Sequence, residues 1–167
     1  AEIRRGGYIL SEAGTPAQTG KAQAVIIATG SEVALAMTAQ KQLAEGFYQL
    51  VSASVAAEDA MYVLEVSAKA ASAGMSSTFT AVDAITTVLN AYSIDAEKAG
   101  VISDIMFKTV EKGKLTFEQL AAGMGGSIAT AAAAGVSFEE VAAAFATMTR
   151  SGISADEAST ALNQTML

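Results

Sequence analysis

The sequence predicts a mainly α-helical protein: a compact bundle of short antiparallel helices, preceded by a small α/β-like segment of two short strands and a helix. Three capping boxes begin apolar segments, glycines recur just before new helix starts, and apolar residues repeat at helical spacing. Two domains are expected, residues 1–46 and 47–167. Alanine supplies much of the 51% apolar content, so the helices can approach closely while each contact buries little area.

The first expected domain mixes strand-like and helix-like patterns. Tyr8–Leu10 and Ala24–Ala28 are short apolar runs typical of strands, and the second is followed by a Thr-Gly-Ser turn. A helix is expected from about Glu32 to Glu45. Ser31 is its expected N-cap and Gly46 its C-terminal stop.

Capping boxes mark the helix starts in the second domain. They are Thr116–Gln119, Ser137–Glu140 and Ser154–Glu157. In each box the hydroxyl oxygen can accept a hydrogen bond from the N3 amide, while the N3 side chain accepts one from the N-cap amide. Asp95 is expected to cap the helix before them.

Glycines mark the helix stops. Gly74, Gly113, Gly135 and Gly152 are expected in the left-handed backbone region that ends many helices. With a further break near Tyr92, they predict helices of roughly 15–20 residues joined by short turns. The segment Thr116–Ala134 is expected to bend or break in two, because Gly123, Gly125 and Gly126 weaken its centre.

Apolar residues form stripes on three of these helices, which predicts that the helices pack through them. We expect the third stripe to face the second one. The first stripe is Phe79, Val82, Ile85 or Thr86, Leu89 and Tyr92; the second is Ile102, Ile105 or Met106, and Thr109; the third is Phe138, Val141, Phe145 and Met148.

Composition restricts the chemistry that the chain can perform. It contains no Cys and no His, which removes thiol nucleophiles, the commonest zinc ligands and the most frequent general base. The net charge of −7 argues against nucleic acid and anionic membrane surfaces as partners. No apolar run approaches the ~20 residues of a membrane span. We therefore predict no catalytic residue, no cofactor and no metal site.

Four local patterns could still carry chemistry, and for each we favour a structural role. Gly30–Ser31 could bind an anion at a helix start, but it lacks a glycine-rich fingerprint and is interpreted as a capped turn. The carboxylate pairs lie in first helical turns, where the helix dipole favours negative charge, and the lysine cluster lies at a helix C-terminus. Three methionines fall on or beside apolar stripes, which indicates core filling. The pairs are Glu139 with Glu140 and Asp156 with Glu157, the lysines are Lys108, Lys112 and Lys114, and the methionines are Met61, Met106 and Met148.

The larger part of the chain resembles phage tail tape measure proteins. The resemblance rests on LEVSAKAASAG (Leu64–Gly74), AVDAITTVLNAYSIDAEKAGVISDIMFKTVEKGKLTFEQLAAGMG (Ala81–Gly125) and AAAAGVSFEEVAAAFATMTRSGIS (Ala131–Ser154), and on their order. It covers about residues 47–167. It implies a structural role, in which the protein sets tail length inside the tail tube.

The remaining part, about residues 5–45, is similar to the start of the transketolase C-terminal domain. The similar phrases are GGYILSEA (Gly6–Ala13), AVIIATGSEVALAM (Ala24–Met37) and QLAEG (Gln42–Gly46). In that family the thiamine diphosphate and catalytic groups lie in other domains, so the similarity implies a fold element and no activity. Natural recombination, design and laboratory fusion would all produce such a chimera.

The expected function is therefore that of a non-enzymatic segment of a tape measure protein, acting in tail length determination and tail assembly through helix packing. Expected partners are other tail proteins, or further copies of the chain through its helices, with no nucleic acid and no stable membrane span. The expected location is the virion tail, or the host cytoplasm before assembly. The alternative is a transketolase-derived fragment, or a designed or recombinant chimera, without catalytic activity of its own.

Overall fold

The structure is a computed structural model and describes residues 28–167. Within this part of the chain it contains helices and turns but no strand, so the prediction of a mainly α-helical fold is confirmed. The predicted strands Tyr8–Leu10 and Ala24–Ala28 lie outside the described residues, apart from Ala28 itself. The helices are α1 (Val33–Ser52), α2 (Ala57–Gly74), α3 (Thr78–Ala91), α4 (Ala99–Lys112), α5 (Phe117–Met124), α6 (Ile128–Ala133), α7 (Phe138–Arg150) and α8 (Ala155–Met166).

The chain divides into two compact units, residues 1–44 and 45–167. In the first unit, the described residues form a 3₁₀ turn at Gly30–Glu32 and then the beginning of α1, which exposes Leu35. The second unit contains the rest of α1 and helices α2 to α8. The predicted division into two domains, residues 1–46 and 47–167, stays a prediction.

Helix α1 runs through Gly46, so the predicted stop at this residue is wrong. Ser31 lies inside the 3₁₀ turn, so its prediction as the N-cap is also wrong. Gly46 is buried, and a Cβ atom there would lie 2.9 Å from Thr78 Cγ2 and 3.0 Å from Leu64 Cδ1. The absence of a side chain at Gly46 therefore permits close packing of α1 within the second unit. The helix continues through Gly46 because the residues on both sides of it are helical.

Helix α3 is the central helix of the second unit, since it packs against α2, α4, α5 and α6. Its buried residues occupy most of its circumference, as expected for a helix surrounded by others. Phe79 is 46% exposed and shares the narrow solvent face with Asp83, so its assignment to the apolar stripe is wrong. The buried side chains of α3 are Thr78, Ala81, Val82, Ala84, Ile85, Thr86, Val88 and Leu89.

All three predicted capping boxes are confirmed, with both reciprocal hydrogen bonds present at Thr116, Ser137 and Ser154. The predicted cap at Asp95 is wrong, because its side chain makes no cap hydrogen bond and α4 begins only after an intervening 3₁₀ turn. Ser77 is a cap that sequence reasoning missed. Its Oγ accepts a hydrogen bond from the Thr80 amide at 3.0 Å at the start of α3.

Two of the four predicted left-handed glycines are confirmed: Gly135 has φ +74° and Gly152 has φ +98°. Gly113 is extended, with φ −85° and ψ −172°, and a Cβ there would lie 2.6 Å from Thr149 Oγ1. Gly74 is the last residue of α2, and a Cβ there would lie 2.8 Å from Phe117 Cβ. At both positions glycine is required for space, and the left-handed residue after α2 is Met75, with φ 52°.

Helix breaks occur near all the predicted positions, and the glycine-rich segment is broken into α5 and α6 as expected. Helix α2, with 18 residues, has the predicted length. The later helices are shorter, with 12 to 14 residues in α3, α4, α7 and α8, 8 in α5 and 6 in α6, and a 3₁₀ turn precedes the shortened α4. The expected packing of α4 against α7 is confirmed. Of the residues expected there, Ile102, Met106, Phe138, Val141 and Phe145 are buried, whereas Ile105 and Met148 are half-buried.

Candidate interaction surfaces

The adjacent carboxylate pairs contribute to helix starts. Glu140 Oε2 accepts hydrogen bonds from the Ser137 hydroxyl at 2.7 Å and amide at 2.9 Å. Glu157 Oε2 accepts from the Ser154 hydroxyl at 2.9 Å and amide at 3.0 Å. The hydroxyl and then the amide of Ser137 lower the pKa of Glu140, and the amide and then the hydroxyl of Ser154 lower that of Glu157. These bonds confirm the capping interpretation for one carboxylate of each pair.

Contacts between turns show that the turns of the second unit lie in two groups, one at each end of its helices. At one end, Asn90 Nδ2 donates to Ala53 O at 3.3 Å, and Tyr92 Oη donates to Val136 O at 3.0 Å. These bonds join the α1–α2, α3–α4 and α6–α7 turns. Because acidic side chains collect here, we refer to it as the acidic end.

At the opposite end, Gly74 packs against Phe117, and the Lys114 amide donates to Thr149 Oγ1 at 3.4 Å. These contacts join the α2–α3, α4–α5 and α7–α8 turns. Four of the six basic side chains of residues 45–167 lie at this end or within about one helical turn of it. They are Lys108, Lys112, Lys114 and Arg150, and we refer to this end as the basic end.

The acidic end carries six carboxylates and one lysine, a net charge of −5. Glu139 and Glu140 lie close enough to Tyr92 to raise its pKa, although burial of the phenol is the larger cause. The acidic end therefore has a strongly negative surface, which only the fold reveals. Its charged residues are Glu58, Asp59, Asp95, Glu97, Lys98, Glu139 and Glu140.

The basic end has a mixed charge. Lys112 and Arg150 lie in the last turns of α4 and α7, where they complement the helix dipoles as expected for this lysine cluster. Lys112 also pairs with Glu111 at 3.1 Å. The other carboxylates at this end are Glu118, Asp156 and Glu157, so basic and acidic groups are equal in number.

Exposed apolar side chains are present at both ends. Met75 is 93% exposed, and Phe79 and Ile153 also lie partly in solvent at the basic end. Val51 is 59% exposed at the acidic end. Of the methionines expected to fill the core, Met106 is buried, whereas Met61 and Met148 are half-buried.

The expected capped turn at Gly30–Ser31 differs in detail from the structure. Gly30 has φ +55° and begins the 3₁₀ turn, and the preceding Thr29 makes no side-chain cap hydrogen bond. Within residues 28–167, no group of three acidic, His or Cys side chains is placed to hold a metal ion. In the same part of the chain, no helix combines the length and apolarity needed to cross a membrane.

Comparison with known proteins gives one family. Neither a curated protein nor a solved structure matches the chain significantly. The family described as phage-related minor tail protein matches residues 22–167, which include all of helices α1 to α8. The match also includes residues 22–45 of the segment that is similar to transketolase. The chain therefore belongs to the phage-related minor tail protein family, whose members are structural components of the virion tail.

Proposed function

We propose that this chain is a segment of a tape measure protein, and that it helps to set the length of the tail during assembly. The family match over residues 22–167 supports a tail role and is the observation that carries the proposal. The resemblance of Leu64–Gly74, Ala81–Gly125 and Ala131–Ser154 to tape measure proteins supplies the more specific assignment.

The proposed mechanism is non-enzymatic and depends on helix packing. Confirmed capping boxes at Thr116, Ser137 and Ser154 fix where three of the helices begin. Glycines at Gly74 and Gly113 let neighbouring segments approach to distances that a Cβ would prevent. A structural segment of a tail protein needs defined helix lengths and contacts of this kind, and it needs no reacting group.

The proposed partners are other tail proteins, which the family implies, and the contacts would be made through helix surfaces. Nucleic acid is not proposed as a partner, since residues 45–167 hold six basic against fourteen acidic side chains. The proposed locations are the virion tail and, before assembly, the host cytoplasm.

Tail length in a phage that encodes this chain provides the test. An in-frame deletion of residues 78–112 removes 35 residues, which span about 50 Å if helical and extended along the tube. Electron microscopy should show shorter tails, by at most that length, because residues packed as antiparallel helices span less of the tube than one extended helix. The control is Phe145→Ala, which should weaken the fold without altering chain length. Tails of unchanged length after the deletion would refute the tape measure assignment while leaving membership of the tail family intact.

The alternative origin, a transketolase-derived fragment fused to a tail segment, predicts no activity. The family match extends to residue 22, so it requires no junction at Gly46. Calorimetry with thiamine diphosphate and a coupled ketol-transfer assay should both give no signal. A measurable signal in either would contradict the non-enzymatic proposal.

A further inference from the structure

We infer that α8 is a latch, which holds the junction between α5 and α6 in its broken form. When α8 is released, residues 117–134 would join into one continuous helix. The broken and the continuous forms are then two states of the same segment. This switch is a property of α5, α6 and α8, and it does not depend on the tape measure assignment.

The α5–α6 junction differs in its backbone from the other helix junctions between α1 and α8. Five junctions contain a left-handed residue, and the α4–α5 turn contains the extended Gly113. The α5–α6 junction contains no residue with positive φ, and both Gly125 and Ser127 have right-handed helical angles. A modest backbone change would therefore join the two helices. The left-handed residues of the other junctions are Ser54, Met75, Ser93, Gly135 and Gly152.

The buried side chains of α5 and α6 share one helical face when the two helices are counted as one. Leu120, Met124, Ile128 and Ala131 are buried, and they follow the buried Phe117 at spacings of three or four residues. A continuous helix would therefore direct the same side chains to one side. Both α5 and α6 already pack against α3, so the apolar packing of this segment permits both forms.

A side chain of α8 supplies the hydrogen bond that the broken helix lacks. Asn163 Nδ2 donates to Gly126 O at 2.7 Å. In a continuous helix the Thr130 amide would donate to this carbonyl, but here the first helical bond of α6 runs from the Ala131 amide to Ser127 O at 2.9 Å. Asn163 therefore satisfies a carbonyl that the break leaves without a backbone partner.

Glycines at the junction make room for α8. A Cβ atom at Gly126 would lie 3.3 Å from Ser159 Oγ, and one at Gly123 would lie 3.0 Å from Ala155 Cβ. Glycine also favours a continuous helix less than other residues with a free amide do. The same positions that admit α8 therefore weaken the helix, so docked α8 and a broken junction favour each other.

The attachment of α8 is weak enough to be released. Its buried residues are Ala158 and Ser159, both small, so release exposes little apolar area. The bond from Asn163 to Gly126 is exposed to solvent. This bond fixes the orientation of the Asn163 amide and leaves its Oδ1 buried without a partner, a cost that release would remove.

The Asn163→Ala variant of the full chain tests the latch. The amides of Ile128, Ala129 and Thr130 make no hydrogen bond in the structure, whereas in a continuous helix each would donate to the carbonyl four residues earlier. Loss of the Asn163 bond should raise the ratio of continuous to broken form by roughly two- to tenfold. Hydrogen exchange measured by nuclear magnetic resonance should therefore slow at residues 128–130 while it quickens in α8.

Gly126→Ala provides a second, independent variant. Its added methyl group crowds Ser159 and favours helix across the junction, so exchange at residues 128–130 should slow here as well. Gln164→Ala is the matched control, because it removes an exposed amide side chain next to Asn163 that makes no hydrogen bond to the junction. It should leave exchange at residues 128–130 unchanged.

Circular dichroism melts would verify that each variant folds, and Gly126→Ala alone decides the outcome if Asn163→Ala does not. Simple destabilisation by either substitution would quicken exchange at the junction, which is the opposite of the expected change. Exchange at residues 128–130 that quickened, or that matched the Gln164→Ala control, would overturn the switch whatever happened in α8.

Discussion

Two glycines at the end of α5 should respond oppositely to the same substitution. Gly125 is exposed, has helical backbone angles of φ −52° and ψ −33°, and a Cβ there would meet nothing closer than Ala122 O at 3.8 Å. Gly125→Ala should stabilise the protein by about 0.4–1 kcal/mol, because it restricts the unfolded chain without strain in the folded one.

Gly123→Ala should destabilise the protein. A Cβ at this position would lie 3.0 Å from both Ala155 Cβ and Ala155 O, so α5 and α8 would have to separate. Forcing an extra carbon into a packed contact costs about 1–3 kcal/mol.

Thermal melts followed by circular dichroism would compare the two variants with the parent chain. A change of 1 kcal/mol shifts the melting temperature by about 2–4 °C in a protein of this size. We expect a small rise for Gly125→Ala and a larger fall for Gly123→Ala. Equal shifts in the same direction would show that α8 does not pack against α5 as the structure has it.

Three further predictions concern the core, a turn and the helix caps. Phe145→Ala should cost about 3–5 kcal/mol in denaturant melts, since Phe145 is fully buried, and an unchanged midpoint would mean that α7 is not packed there. Met75→Gly should raise stability in the same assay, because glycine relieves the left-handed strain at φ 52°; a loss of stability would show that the Met75 side chain contributes to the fold. The free energy of unfolding should fall on acidification, because Glu140 and Glu157 have pKa values below the ordinary 4.5 in the folded protein. Their ionised carboxylates stabilise the fold fully above pH 4.5, and this stabilisation is lost as the pH falls through the folded-state pKa. A double variant Glu140→Gln, Glu157→Gln should lose less stability than the parent chain between about pH 5 and pH 3. If stability fell equally steeply with pH in the variant and the parent, the capping roles would be contradicted.

The helix starts at Thr116, Ser137 and Ser154 were predictable because a capping box is contained in four consecutive residues. The bonds at Ser137 and Glu140 form within one helical turn and need no distant partner. The roles of Gly46, Gly74 and Gly113 were not predictable, because each depends on a side chain far away in sequence. A glycine that permits close packing and one that ends a helix look alike in a single sequence.

The candidate surfaces were partly predictable. Local sequence identified the lysine cluster and the carboxylate pairs as helix-terminal groups. Their separation to opposite ends depends on the order of antiparallel helices, which the tertiary bonds of Tyr92 and Lys114 establish. In a bundle of antiparallel helices, successive turns alternate between the two ends, so the sequence already contained a signal that could have placed these charged groups at one end or the other. The exposure of Met75 was not predictable, since methionine usually fills a core.

The most direct test of the proposed tail role is the slope of tail length against chain length. A series of in-frame deletions and duplications within residues 57–167 would be introduced into the phage, and tails would be measured by electron microscopy. The account predicts that tail length rises and falls with chain length, by at most the ~1.5 Å per residue of one extended helix and by less where the altered residues are packed as antiparallel helices. Tails whose length stays constant while the chain is shortened and lengthened would contradict it.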